Sequence, residues 1–138
     1  MANTGHTAIY DARKVTVTVD GKFITGFGEG TFVTASKDED GFEHTTSAQG
    51  DVGIAVRNNT VGTIEITLNQ TSPSINFLDQ LAASFKMVPV WVISNNEVKE
   101  KSGGTMAMIT KPSDKEYSDT ISERTYEIKV FDYTSGNQ

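Results

Sequence analysis

The chain has 138 residues, a formal net charge of −6 and no cysteine. That length suits one domain with one core, and the missing cysteines exclude a disulfide framework and a thiolate metal site. The acidic balance argues against electrostatic capture of nucleic acid, which needs clustered Lys and Arg.

No apolar run approaches the roughly 20 residues of a membrane helix. The opening MANTGHTAIYDARK has no apolar signal core, so a soluble, unexported protein is expected. Frequent Ser, Thr and Gly, with Val and Ile in alternation, predict a mainly β fold. Residues 1–13 lack periodicity and read as a frayed end or a docking arm, with Ile9 and Tyr10 as its anchors. Val15, Val17 and Val19 then alternate with Thr16 and Thr18, a half-buried strand. Asp20-Gly21 suits a type I′ turn, returning the chain along Lys22 to Gly26. Gly26, Gly28 and Gly30 have neither a preceding βα unit nor a following helix, so they mark a bulge or close backbone approach rather than a phosphate loop. Thr31 to Ser36 resumes a strand.

Lys37 to Gly50 is polar and carries Asp38, Glu39, Asp40, Glu43 and His44 around one aromatic, Phe42. Flanking helices and the twelfth-position Glu of a calcium loop are missing, so no metal is expected there. The stretch reads as a long loop, solvated or held in an assembly contact. Asp51 to Arg57 alternates again, with Val52, Ile54 and Val56 expected inward. Asn58-Asn59 is the expected turn of a second hairpin. Its return strand, Thr63 to Asn69, turns Ile64, Ile66 and Leu68 to the core and Glu65 and Thr67 to the polar face.

A helix is predicted over about residues 74–85, capped by Ser72 or Ser74. Ile75, Leu78, Leu81, Ala82 and Phe85 fall on its core-covering face. Met87 to Ile93 is apolar throughout, a strand covered on both faces, with Pro89 pointing to an edge or bulge. Asn95 to Gly104 reads as a turn hinged on Gly103-Gly104, and Thr105 to Lys111 as a strand. Pro112 to Arg124 is a loop, Tyr126 to Phe131 a closing strand, and SGNQ a polar tail.

Catalytic chemistry is missing from this inventory. His6 and His44 have no companion ligands at metal spacing. The carboxylate pairs Asp38 with Asp40 and Glu97 with Glu100 lie in segments read as exposed, where a catalytic acid would not have its pKa raised. No enzyme activity and no cofactor are expected. Many strand edges in one small chain must be covered, and ordered self-assembly covers them.

Taken in order, the elements resemble the small tail-tube proteins of contractile-tailed bacteriophages and related phage-tail-like particles. The resemblance runs through the D-G hairpin (Val15 to Ile24) and the glycine-rich strand with its acidic loop (Gly26 to Gly50). It continues through DVGIAVRNNT (Asp51 to Thr60), GTIEITL (Gly62 to Leu68) and SPSINFLDQL (Ser72 to Leu81). It implies a β-sandwich or barrel of short antiparallel strands with one flanking helix. It implies hexameric rings stacked into an inner tube, surrounded by a sheath protein and ended by baseplate and tail-terminator proteins. DNA would pass through the lumen without specific binding, and the protein would reside in a virion assembled in the host cytoplasm. In that picture residues 37–50 and the N-terminal arm make assembly contacts, and Glu65 and Thr67 are candidates for the lumen face. Deleting Lys37 to Gly50 is expected to spare the fold and stop tube growth. Another β-rich tail or secretion-tube component, or a ligand-binding β-sandwich, remains an alternative.

Overall fold

The computed structural model describes residues 9–137. A 3-10 turn, Ala12–Lys14, leads into β1 (Val15–Val19), β2 (Lys22–Phe23), β3 (Val33–Lys37), β4 (Phe42–Thr46), β5 (Val52–Val56) and β6 (Gly62–Asn69). The helix α1 (Ile75–Ser84) follows, then β7 (Val88–Ser94), β8 (Glu100–Ile109), β9 (Glu123–Val130) and β10 (Thr134–Asn137). All pairings are antiparallel, in the order β2-β1-β7-β8-β9-β6-β3, with β10 also on β8 and β4–β5 forming a separate two-stranded sheet.

The long sheet folds over into a β-sandwich because its two ends are tied together. After β2 the chain crosses to β6: the Gly28 amide donates to the Thr67 carbonyl at 3.0 Å and the Asn69 amide to the Gly26 carbonyl at 2.8 Å. Side chains at Gly28 would collide with Glu123 and Thr67, the close approach expected of that glycine run. Alternation decides what the fold encloses. Val17 and Val19 of β1, Ile64, Ile66 and Leu68 of β6, and Tyr126, Ile128 and Val130 of β9 are all fully buried in one cluster. Eight such side chains, at about 1.5–3 kcal/mol each, make burial the main stabilising term.

β8 serves both layers. Its first residues pair with β7 and β10, and Ala107 to Ile109 pair with β9. Gly103, at φ 137°, allows the change of course, since a side chain there would meet the Val90 carbonyl oxygen. Asp132 clasps the same place from the β9–β10 junction. Its carboxylate accepts from the Thr105 amide (3.0 Å), the Thr105 hydroxyl (2.6 Å) and the Met106 amide (2.9 Å).

The helix covers the core with Leu78, Leu81 and Ala82. Tyr126 reaches up from β9, and its hydroxyl donates to Asp79 Oδ1 at 2.7 Å. Burial pushes the Tyr126 phenol up to about 12, and the Asp79 carboxylate acts in the same direction.

Several expectations are corrected. Phe85 does not face the core: it ends the helix in a left-handed conformation and is 68 % exposed. Ile75 packs against the cluster as a partly buried side chain, and Phe77 joins it in place of Phe85. Ser74 caps the helix by position, but its hydroxyl accepts from the Thr25 amide rather than from α1. The turn at Asp20-Gly21 forms with both residues at positive φ, as the first hairpin required. Residues 95–104 are not all turn, because β8 begins at Glu100 and carries both glycines mid-strand. The tail joins the sheet as β10. β7 lies inside the sheet, and its register slips between Val88 and Val90, so Pro89 marks a bulge rather than an edge.

Candidate assembly surfaces

The largest correction falls on residues 37–69. β3 pairs with β6 and β4 pairs with β5, so the two ribbons are one long hairpin interrupted once. At the break the Asp38 amide donates to the Val61 carbonyl (3.0 Å) and the Arg57 amide to the Gly41 carbonyl (2.9 Å). The reversal is at Ser47–Asp51, not Asn58-Asn59. There the Ser47 amide donates to the Asp51 carbonyl and the Ser47 hydroxyl accepts from the Gln49 and Asp51 amides. Residues 37–50 are therefore not a plain loop, since Phe42–Thr46 is a strand. Its polar, acidic composition does not show alternation, and its partner β5 has the same β-branched alternation as β6.

In the distal half, register sets Phe42 opposite Val56, His44 opposite Ile54 and Thr46 opposite Val52. These six side chains share one face of the ribbon. Val52, Ile54 and Val56, expected inward, are 61, 67 and 73 % exposed, and Phe42 is 56 % exposed. The neighbouring carboxylates are arranged around Arg57, which pairs with Glu43 at 2.6 Å and Glu39 at 3.7 Å. Asp40 is exposed beside the break.

The root of the ribbon is held by charge. Asp38 accepts from the Thr63 hydroxyl (2.6 Å) and from Lys129 Nζ of β9 (2.9 Å). The Thr63 hydrogen bond, and then Lys129, hold the Asp38 carboxyl below the usual carboxylate range. The same pair raises the Lys129 ammonium.

The outer face of β3, β6 and β9 is polar. Thr34, Glu65 and Glu127 lie in one row across the three strands, and Thr67 lies opposite Thr125. Glu65 and Glu127 are directly opposed and both exposed. Like charges so placed repel, and Lys129 Nζ, 3.6 Å from the Glu127 carboxylate, offsets part of that repulsion. Glu123, Asp114 and Glu116 line the same shallow depression as this pair, and Lys111 answers Asp114 at 3.7 Å. No group of three or more His, Asp or Glu among the described residues is arranged to hold a metal ion.

A third surface is apolar. A wide-open apolar depression of about 640 Å³ lies between the start of β1 and the Gly26 to Phe32 crossing, lined by Val15, Phe23, Ile24, Phe27, Phe32 and Arg13 among others. Phe27 and Phe32 pack at 5.0 Å between ring centroids, and Phe23 is 68 % exposed. Three phenylalanines interleaved with glycines were the available signal. Ile9 and Tyr10 are both exposed, and the arm is pinned just after them, where the Asp11 amide donates to Asn96 Oδ1 at 2.7 Å. The remainder of the expected arm, residues 1–8 with His6, lies outside the described residues. No helix among the described residues is long and apolar enough to cross a membrane.

No protein-family model matches the chain, and no curated protein sequence matches it. Among solved structures the chain is similar to the cap that terminates the tube of the anti-feeding prophage, with a TM-score of 0.65. The likeness covers 99 % of this chain and 97 % of that one at 12 % identity, so what the two share is the fold.

Proposed function

We propose that this chain is a structural component of a phage-tail-like particle and, more finely, a tail-tube subunit that closes into hexameric rings and stacks. The observation that carries the proposal is the distal hairpin. A two-stranded ribbon is marginal in water by itself, and this one presents Phe42, Val52, Ile54 and Val56 to solvent. An apolar face on a projecting ribbon needs a second chain. The shared fold with a tube-terminating cap supports the same reading.

The polar face fits the inside of such a tube. Glu65 and Thr67 of β6, with Glu127 and Thr125 of β9, would present carboxylates and hydroxyls to the lumen. A negative or neutral wall lets DNA pass without holding its phosphates. The unpaired outer edge of β3 is then the edge to be covered by a neighbour in the ring. The sheath, baseplate and terminator proteins are the remaining partners in this picture, with no cofactor and no catalytic group. Heterologous contacts of this kind close into rings or repeat along an axis.

Negative-stain microscopy of the purified chain is the test. Rings and long tubes are expected, and a monomer at high concentration would sink the reading. A cap role is the second reading, favoured by the solved neighbour being a cap. Single rings that never elongate, yet block growth of a tube, would select it. The deletion is best placed by register: replacing residues 42–56 with a short Gly-Ser turn should leave the melting temperature nearly unchanged and stop elongation.

A further inference from the structure

We infer that the turn at residues 131–133 is a coupling joint, through which the foot of the long hairpin and the C-terminal strand β10 loosen or tighten together. The device lies within one chain and stands apart from the tube reading.

Three observations converge on that turn. First, it grips the foot. Thr60, on the returning arm, is bonded to it twice: its hydroxyl donates to the Phe131 carbonyl at 2.7 Å, and its carbonyl accepts from the Tyr133 amide at 3.0 Å. The Tyr133 ring lies directly on Gly62, where any side chain would strike it. The outgoing arm is tied in through Asp38, which accepts from Lys129 Nζ, two residues before the turn. Second, the same turn grips β8. The Phe131 amide donates to the Met106 carbonyl at 2.8 Å, and the Asp132 carboxylate accepts from the Thr105 and Met106 amides. Third, β10 begins at the very next residue. Thr134 pairs with Gly103, and its hydroxyl donates to the Gly103 carbonyl at 3.3 Å.

No spare residue separates Tyr133 from Thr134, and consecutive Cα atoms are fixed about 3.8 Å apart. A shift of Tyr133 with the foot is therefore passed straight into the first pair of β10. That strand is the element able to respond. It has four residues at the edge of a sheet, and Thr134, Ser135 and Gly136 are exposed. Short, exposed elements open at the low end of the stability range. Its two arrangements are seated on β8, or released with the backbone edge of Glu100 to Gly103 left unpaired. Coupling of this kind is reciprocal: what loosens the foot favours release of β10, and release of β10 loosens the foot by the same factor.

Amide hydrogen exchange of the full chain, followed by NMR on the dilute monomer, tests the coupling from both sides. Thr60→Val keeps the shape of the side chain and removes the donor to Phe131. It is expected to speed exchange of the protected amides of residues 134–137 at least fivefold, together with the Asp38 and Arg57 amides, whose hydrogen bonds close the foot. The reverse arm is the double variant Ser135→Pro, Gly136→Pro. Adjacent amides point to opposite sides of a strand, so one of the two faces β8, and proline removes it. That variant should speed exchange of Asp38 and Arg57 at least threefold. Ile54→Ala, in the distal half of the ribbon, should move neither set. A rise confined to the altered end in either variant, or no rise at all, would overturn the coupling. So would an equal rise at Ile64 and Ile128, paired in the middle of the sheet, because the loss would then be global. None of these outcomes bears on tube growth, which microscopy reads separately.

Discussion

The two halves of the residues 37–69 ribbon have the same sequence grammar and opposite fates. In β6, Ile64, Ile66 and Leu68 alternate with Glu65 and Thr67 and are fully buried. In β5, Val52, Ile54 and Val56 alternate with Gly53 and Ala55 and are exposed along their whole length. The difference lies in what stands opposite. β6 is flanked by β3 and β9 and faced by the helix and β1, whereas β5 has only β4. Alternation states that a strand has an apolar face. It leaves open whether that face is covered by the same chain or by another.

That contrast can be broken most decisively by paired truncations. Ile66→Ala should cost about 4 kcal/mol, because it opens a cavity in a filled core. Ile54→Ala should change stability by less than about 0.5 kcal/mol while impairing assembly. Denaturant unfolding of both variants decides it, and equal losses would mean that the distal ribbon belongs to the folding unit after all. The Asp132 clasp asks whether the bend in β8 is part of the rigid half. Asp132→Ala removes the acceptor for the Thr105 and Met106 amides and the Thr105 hydroxyl, so a loss of about 1–2 kcal/mol is expected by the same measurement.

Tyr126→Phe should cost about 1 kcal/mol, since the ring still fills the core while Asp79 loses its donor. In the parent the phenol should stay un-ionised until about pH 12, readable by ultraviolet titration. The smallest effect belongs to the root of the ribbon. Asp38 is held below its ordinary 3.8. Its contribution is therefore present above pH 3.8 and lost as pH falls through the lower folded value. Carboxyl NMR should place the Asp38 midpoint below 3.8, and faster exchange of the Asp38 amide should accompany its protonation. A midpoint at or above 3.8 would remove the charge clamp from the account.

Wherever a local pattern meets a local cause, the chain is legible. Val15 to Val19 with Asp20-Gly21 predicts the first hairpin, and the helix follows from Leu78, Leu81 and Ala82 at helical spacing. Tyr126, Ile128 and Val130 likewise announce β9. The failures are failures of pairing. Nothing within residues 51–69 distinguishes a turn at Asn58-Asn59 from an interruption in a longer ribbon, because Asn suits both. Phe42 to Thr46 has β-formers in Phe42, Thr45 and Thr46 but no alternating apolar pattern, so its strand state depends on the partner across from it. Gly103-Gly104 has the composition of a turn and serves as a mid-strand bend, a role visible only once Val90 is seen packed against it. Phe85 kept the helical spacing one residue past the helix end. Among the candidate surfaces, the alternation of β6 already puts Glu65 and Thr67 on a polar face, whereas the depression around Phe23, Phe27 and Phe32 exists only through the crossing from β2 to β6.

The interruption at residues 38–41 and 57–61 also sets a tolerance. Five residues of strand beyond it extend roughly 17 Å at about 3.3 Å per residue. A tilt of about 10° at the foot would therefore carry the tip some ~3 Å sideways, more than half of the ~4.8 Å spacing between paired strands. Asp38, Thr63 and Lys129 stand at that foot, each joined to the other two by hydrogen bonds of 2.6 to 2.9 Å. Three polar side chains on the body of the protein thus set the aim of a ribbon whose tip touches none of them.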